Sequence, residues 1–346
     1  MTVLKNTLFV FAVALVLVSH VAGCATSGGP TLAPEQAAVT FDDPPVRPNL
    51  PTLVIAMPPS SNFAVVRKSL ISEIQKNFNI RTLPILSSTT VADLEAVIAS
   101  THPVAIVLMN NATISLYRQY LKAHPQAPVV PAILLMASFI EEARTFLPQS
   151  TGIAYEVPGV TAFVHLRSLV TAPVTRVGVV FRPGFRHFVE KQKALAAKEN
   201  IQVVSLSVAD DADVEEVREA VSRLIGVDKV SALWLLNDNS LVPDADFIEE
   251  AWRAELADAK VPLIVGVANL VEPQSSFGAL AVVPDHEALG LQAANLIFDL
   301  ADNDWNVADH PVELPLSVKT IIDVKLLRET LGLRPDALKH VDRALE

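Results

Sequence analysis

Short apolar runs of strand length recur along this chain, each followed by an amphipathic stretch, and that alternation constrains the fold more than any other feature. TLVIAM (Thr52–Met57), PVAIVLMN (Pro103–Asn110) and VVPAILLMA (Val129–Ala137) are continuous apolar runs. A strand reads this way when both of its faces are buried, as in a parallel sheet covered by helices. Between the runs, Asn62–Phe78, Val91–Thr101 and Ala112–His124 carry Leu, Ile and Val at helical spacing. Strand–helix–strand alternation of this kind predicts a doubly wound α/β layer.

The pattern restarts after Thr171-Ala172-Pro173. Strands are expected at Val174–Phe181, Ile201–Val208, Val230–Leu236 and Val261–Ala268, with helices at Gly184–Asn200, Asp213–Ile225 and Ala245–Lys260. GALAVV (Gly278–Val283), a helix over His286–Ala301, a strand near Val312–Ile322 and a terminal helix from Val324 complete the succession. The fold class that follows is α/β: two doubly wound parallel-sheet lobes joined by hinge crossovers. The first lobe is expected over residues 52–172, completed by 284–305, and the second over 173–283, completed by 306–346.

The N-terminus has a different character. Lys5 precedes an apolar stretch from Leu8 to Val18, and Val21-Ala22-Gly23 leads to Cys24, the single cysteine of the chain. A basic start, an apolar middle and a small-residue end make an export signal. The apolar run is shorter than the ~20 residues a membrane-spanning helix needs. A cysteine in that position resembles the lipobox of bacterial lipoproteins, which implies a signal over 1–24, lipidation of Cys24 and an extracytoplasmic, lipid-anchored product. The alternative is a buried cysteine in a hydrophobic N-terminal helix. With one cysteine there is no intrachain disulfide, so the core alone must hold the fold. Residues 25–51, rich in Gly, Pro, Ala and Ser, read as a flexible tether, or as an extended arm packed on the body.

Charge and missing motifs exclude several function classes. Removing Lys5 with the signal takes the formal charge from −11 to −12. Such a surface repels nucleic acid and anionic headgroups, so membrane contact is expected through the acyl chains alone. No later segment approaches 18 uncharged apolar residues, so no second span is expected. The phosphate loop, the HExxH zinc helix, the GxSxG elbow and the GxGxxG turn are all missing. The histidines are scattered without ligand spacing. No enzyme, metal site or cofactor is expected.

In open α/β sheets, solutes bind where strand ends feed helix N-termini. Those ends carry Ser60 and Ser61 after the first strand, Asn111 and Thr113 after the third, and Ser138 after the fourth. In the second unit they carry Phe185, the trio Asn237, Asp238 and Asn239, and Asn269. Hydroxyls and amides there suit a carboxylate or other polar head group, and Phe139, Phe185 and Tyr155 suit an apolar portion. Helix capping alone accounts for any single Ser, Asn or Asp; the recurrence in both halves is what argues for a site. Asp238, between two asparagines at a strand end, suits an ammonium or hydroxyl group. Arg182 and Arg186 are open between pairing with acidic groups across the cleft and pairing at the surface.

The succession STG (Ser150–Gly152), VTRVGVVFRP (Val174–Pro183), LWLLNDNSLV (Leu233–Val242), FGALAVVPDHEALGLQAANLI (Phe277–Ile297) and LRETLGL (Leu327–Leu333) resembles the ABC-transporter substrate-binding family that includes tryptophan-binding lipoproteins. The resemblance runs from about Thr52 to Leu333. It implies a type I periplasmic-binding-protein architecture, with three crossovers and one small organic solute, amino-acid-like or other, held between the lobes. It also implies a monomer that passes its solute to an ABC permease. Asp238 and Asn239 match the family's polar pair, Thr151-Gly152 its turn and Gly278-Ala279 the start of the next strand. The segment Glu272–Phe277 and the loop after the first strand depart from the family pattern. The residue after Cys24 is Ala25 and not Asp, which by family sorting rules implies the outer membrane in a Gram-negative cell. That keeps a second role open: a sensing or assembly-partner lipoprotein coupled to a kinase or an outer-membrane machine.

Overall fold

The computed structural model describes residues 41–346 apart from Asp258. The expected signal, Cys24 and the tether up to residue 40 lie outside the described residues. The first half of the chain runs β1 (Thr52–Met57), α1 (Ser61–Ile74), β2 (Asn79–Pro84), α2 (Val91–Thr101), β3 (Ala105–Met109), α3 (Asn111–Ala123), β4 (Ala132–Leu135), α4 (Ile140–Ala143) and β5 (Ser150–Gly152). These strands form one all-parallel sheet in the order β2-β1-β3-β4-β5.

The second half continues through α5 (Gly159–Leu169), β6 (Arg176–Phe181), α6 (Arg186–Ala197), β7 (Gln202–Ser207), α7 (Val214–Gly226) and β8 (Ala232–Trp234). Next come α8 (Ala245–Phe247), a π-helical turn (Ile248–Arg253), α9 (Ala254–Leu256), β9 (Leu263–Val265) and β10 (Leu280–Pro284). The chain ends with α10 (His286–Asp302), β11 (Val318–Asp323), α11 (Val324–Thr330) and β12 (Arg343–Leu345). A second, separate sheet has the order β7-β6-β8-β9-β10-β11-β12. Its first five strands repeat the winding of the first sheet; β11 joins antiparallel to β10, and β12 parallel to β11.

The continuous apolar runs follow from burial on both faces. In β1, Leu53, Ile55 and Met57 enter one core while Val54 and Ala56 enter the other, and β3 divides in the same way. In the second sheet, Leu233 and Leu235 pack on one face and Trp234 and Leu236 on the other. Each fully buried Leu, Ile or Val contributes about 1.5–3 kcal/mol, so no disulfide is needed to secure the fold.

The chain passes between the sheets three times. After β5 it crosses to α5, which packs Phe163, Leu166 and Leu169 into a core of the second sheet although residues 159–172 were expected with the first lobe. After β10 it returns as α10, which lies along α1 and adds Leu289, Ala293 and Ile297 to a core of the first sheet. Gly290 permits this approach: a Cβ there would meet the Val66 carbonyl oxygen at 2.5 Å. Glu313 bridges to Ile153 beside β5, and the chain then crosses a third time to β11. Buried Gln292 on α10 ties down that last crossover, donating to the Leu314 carbonyl (3.0 Å) and accepting from the Leu316 N–H (3.0 Å).

Residues 41–50 of the expected tether are a packed arm. Asp43 accepts from the Thr82 N–H (2.8 Å) and from Arg67 (2.8 Å), and Asn79 holds the carbonyls of Arg47 and Leu50. The arm thereby covers the exposed edge of β2. Among the described residues, no helix is long and apolar enough to cross a membrane.

Candidate functional site

In both sheets the first and third strands in chain order lie side by side, so the loops leaving their carboxyl ends diverge and open a crevice. The two crevices share one cleft of about 640 Å³. The first lobe contributes Asn62, Phe63, Asn110, Asn111, Ser138, Phe139 and Tyr155. The second contributes Arg182, Phe185, Asn237, Asp238, Asn239, Ser240 and Gly266.

Of the residues picked from sequence, Asn111, Ser138, Phe185, Asn237, Asp238 and Asn239 line this cleft. Ser60, Ser61, Thr113 and Asn269 do not. Ser60 and Ser61 sit at the start of α1, one residue short of the position where Asn62 and Phe63 face the cleft. Thr113 is buried in the first turn of α3, its hydroxyl donating to the Met109 carbonyl (2.6 Å) and the Asn110 side chain (2.8 Å). Asn269 is exposed in a 3₁₀ turn, and its neighbours Val267 and Leu270 line the cleft instead.

Asp238 is engaged inside the protein. Its oxygens accept from Arg182 Nε (2.7 Å) and a terminal Arg182 nitrogen (2.8 Å), and from the Ser240 N–H (3.1 Å). The carboxylate side chain is 3 % exposed and the guanidinium 22 %. A two-point pair of this geometry is among the stronger charge-assisted contacts. The hydrogen bond to Asp238 raises the Arg182 pKa further, so the guanidinium stays charged. Arg182, open between two roles in the sequence, is therefore the group that faces the cleft, and Asp238 fixes its plane. Arg182 also donates to the Asp210 carbonyl (3.1 Å) and lies over the Phe185 ring.

Two other predicted residues brace a loop. The Asn111 amide donates to the Ser138 carbonyl (3.0 Å) and accepts from its N–H (2.7 Å), clamping the turn after β4 onto α3. That turn holds Met136 and Phe139 at positive φ (48° and 57°), a conformation that costs a bulky residue about 1–3 kcal/mol and concentrates at functional sites. Phe139 is held there from the other lobe: its ring centroid lies 4.3 Å from that of Phe185 and 5.3 Å from that of Phe188. Lys191 on α6 adds an exposed ion pair with Glu141 (3.0 Å) across the same gap.

Sequence reasoning missed Glu156. Both of its carboxylate oxygens accept from the Phe139 N–H (3.1 Å each). It faces two smaller gaps on the far side of Phe139, one shared with Trp234 and Phe188, the other with Gln192 and Leu314. Burial pushes its pKa up to about 7, outweighing the hydrogen bonds from the Phe139 backbone and the Ser138 side chain. Nothing local distinguishes it in the sequence, because its hydrogen-bond partner Phe139 and its neighbours Gln192 and Trp234 are brought to it only by the fold. Nearby, the Tyr155 hydroxyl and His286 Nε2 lie 3.1 Å apart and join the first two crossovers. Burial pushes the Tyr155 pKa up to about 12 and lowers that of His286.

Among the described residues no group of His, Cys, Asp and Glu is placed to hold a metal. Solved structures share the fold. An ABC domain from Streptococcus pneumonia in complex with L-Trp is 17 % identical, with 86 % of this chain and 100 % of that chain covered and a TM-score of 0.55. A substrate binding protein with adhesive properties from Clostridium difficile, in its ligand-free, open form, is 16 % identical over 85 % of this chain and 99 % of the other, at a TM-score of 0.61. A conserved domain protein from Vibrio cholerae is 16 % identical over 86 % and 100 %, at 0.55. No curated protein matches the chain in sequence. The two sheets thus form the paired α/β lobes of a type I periplasmic binding protein. The family model for ABC transporter substrate binding proteins matches residues 119–339, which is more than half of the chain. The protein belongs to that family of binding proteins, which are not enzymes.

Proposed function

We propose that this chain is a lipid-anchored, extracytoplasmic solute receptor that closes on a small organic molecule and delivers it to the permease of an ABC importer. The observation that carries the reading is the cleft of about 640 Å³ between the carboxyl ends of two separate sheets. Three crossovers join the lobes and act as the hinge, and the loops carrying Phe139 and Phe185 meet across the opening. Ligand favours the closed form only through the extra contacts it makes there. Asn237, Asn239, Ser138 and Phe185 contact the solute directly, and Asp238 acts through Arg182. The family membership and a neighbour that holds L-Trp support a small organic solute. Cys24 is the anchor, and the body works as a monomer.

Native mass spectrometry with solution X-ray scattering on the purified full chain tests this. A one-to-one adduct from a pool of amino acids, nucleosides and sugars, with a smaller radius of gyration, is expected. No adduct and an unchanged radius with every pool would remove the receptor reading. In a Gram-negative cell, Ala25 after Cys24 favours a second role, a sensor or assembly partner at the outer membrane. A permease and ATPase encoded beside this chain support import; a kinase or secretion locus there supports sensing.

A further inference from the structure

Charge is balanced inside the cleft. Among the described residues lining it, Arg182 and Asp238 are the charged ones, and they neutralise each other through two hydrogen bonds. The Asp238 carboxylate, at 3 % exposure, is out of reach of a solute. Glu156 lies beyond Phe139, facing the smaller gaps. A zwitterionic amino acid in this cleft would leave its ammonium without a carboxylate partner. Its carboxylate would compete for a guanidinium that is already paired. Enclosing a charge without a partner costs several kcal/mol.

What the cleft does offer is neutral and two-sided. The side-chain amides of Asn62, Asn237 and Asn239 face it with no hydrogen-bond partner among the described residues. Each side-chain amide presents two N–H donors and a carbonyl acceptor side by side. The position of Asn237 is set by shape: Gly266 lies so close that any Cβ there would collide with the Asn237 amide. The N-terminal turns of α1 and α3 carry no acidic residue, so their N–H groups suit an oxygen acceptor, neutral or anionic, and offer an ammonium no carboxylate. Aromatic faces come from both lobes, with Phe63 and Phe139 on one side and Phe185 on the other.

We infer that the cleft selects an uncharged, ring-bearing solute whose hydroxyl or amide edge is read by Asn62, Asn237 and Asn239 while its ring face lies against Phe139 and Phe185. The chemical class is a nucleobase, a nucleoside or a neutral sugar. This rests on the receptor reading above and narrows it.

The test is isothermal titration of the full chain with uridine, adenosine, adenine, glucose and ribose, against L-Trp, L-Leu and benzoate. At least one neutral compound should bind tenfold or more tighter than every charged one, with an affinity unchanged between low and high salt. Nucleobase compounds winning over sugars identifies a planar ring; the reverse identifies a sugar ring. Asn237→Ala should weaken the winner by about tenfold while the ligand-free melting temperature holds. Tighter binding of L-Trp, L-Leu or benzoate overturns the inference and leaves the receptor reading intact. Binding by no compound of either class at millimolar concentration overturns this inference and counts against the receptor reading as well.

Discussion

Asp238 and Arg182 form an asymmetric pair, and the asymmetry has a measurable consequence. Arg182→Ala strands a carboxylate that is 3 % exposed, whereas Asp238→Ala leaves a guanidinium that is 22 % exposed and can reach water. Urea unfolding should show a loss of about 3 kcal/mol for the first and about 1–2 kcal/mol for the second. The reverse order would mean that the carboxylate is solvated. Glu156 adds a pH dependence whose sign follows from its shift. Its folded pKa of about 7 lies above the ordinary 4.5, so the folded chain keeps a proton that the unfolded chain releases between those values. Stability from this group is complete below about pH 4.5 and is lost as pH rises through 7. Glu156→Gln keeps an acceptor for the Phe139 N–H and removes the charge. It should be more stable than the parent by about 1–3 kcal/mol at pH 8 and no more stable at pH 4.5. Equal stability at both pH values would show that Glu156 is solvated.

At the scale of elements, the packing of α10 on α1 is the contact most exposed to a single change. An alanine inside a helix is normally favoured over glycine by about 1 kcal/mol. At Gly290 the added carbon meets the Val66 carbonyl oxygen and, at 2.9 Å, the Leu70 nitrogen, both backbone atoms that cannot swing away. Overpacking of this kind costs about 1–3 kcal/mol, so Gly290→Ala should lower the melting temperature despite the better helix former. An increase would mean that the two helices separate freely. The elements legible in sequence were those with strong periodicity. β1 and β3 read as continuous apolar runs because both faces are covered. β2 went unread: NIRTLP is an edge strand with Arg81 exposed, and it owes its order to β1 and the arm from Asp43. α5 is absent from the sequence reading because it begins at Pro158-Gly159, which reads as a turn and not as a helix start. The expected single helix over Ala245–Lys260 ends at Leu256 and contains a π-helical turn, which places Trp252 where its indole N–H donates to the Leu241 carbonyl (2.9 Å).

At the scale of the whole molecule, Phe139 couples the lobes. It sits on the first lobe at positive φ and packs on Phe185 and Phe188 of the second. Removing the ring in Phe139→Ala forfeits that aromatic contact, about 1 kcal/mol beyond the area it buries. The ligand-free radius of gyration should then increase in solution scattering, and solute affinity should fall by tenfold or more. An unchanged radius would mean that the crossovers alone set the angle between the lobes.

Local order in this chain is decided over a few residues at a time. Apolar runs and helical spacing dictate strands, helices and two α/β windings, because burial on both faces of a sheet needs only the right residue types in the right period. Strand-end loops could be located for the same reason. Which loop side chains share the cleft is another matter. Asn237 and Asn62 are brought to one opening by the crossovers, the Asp238 carboxylate at its edge is taken up by Arg182, and Thr113 is drawn inward by the Met109 carbonyl. Contacts between groups so far apart along the chain depend on how the sheets and crossovers place them in space, and only the tertiary structure decides that.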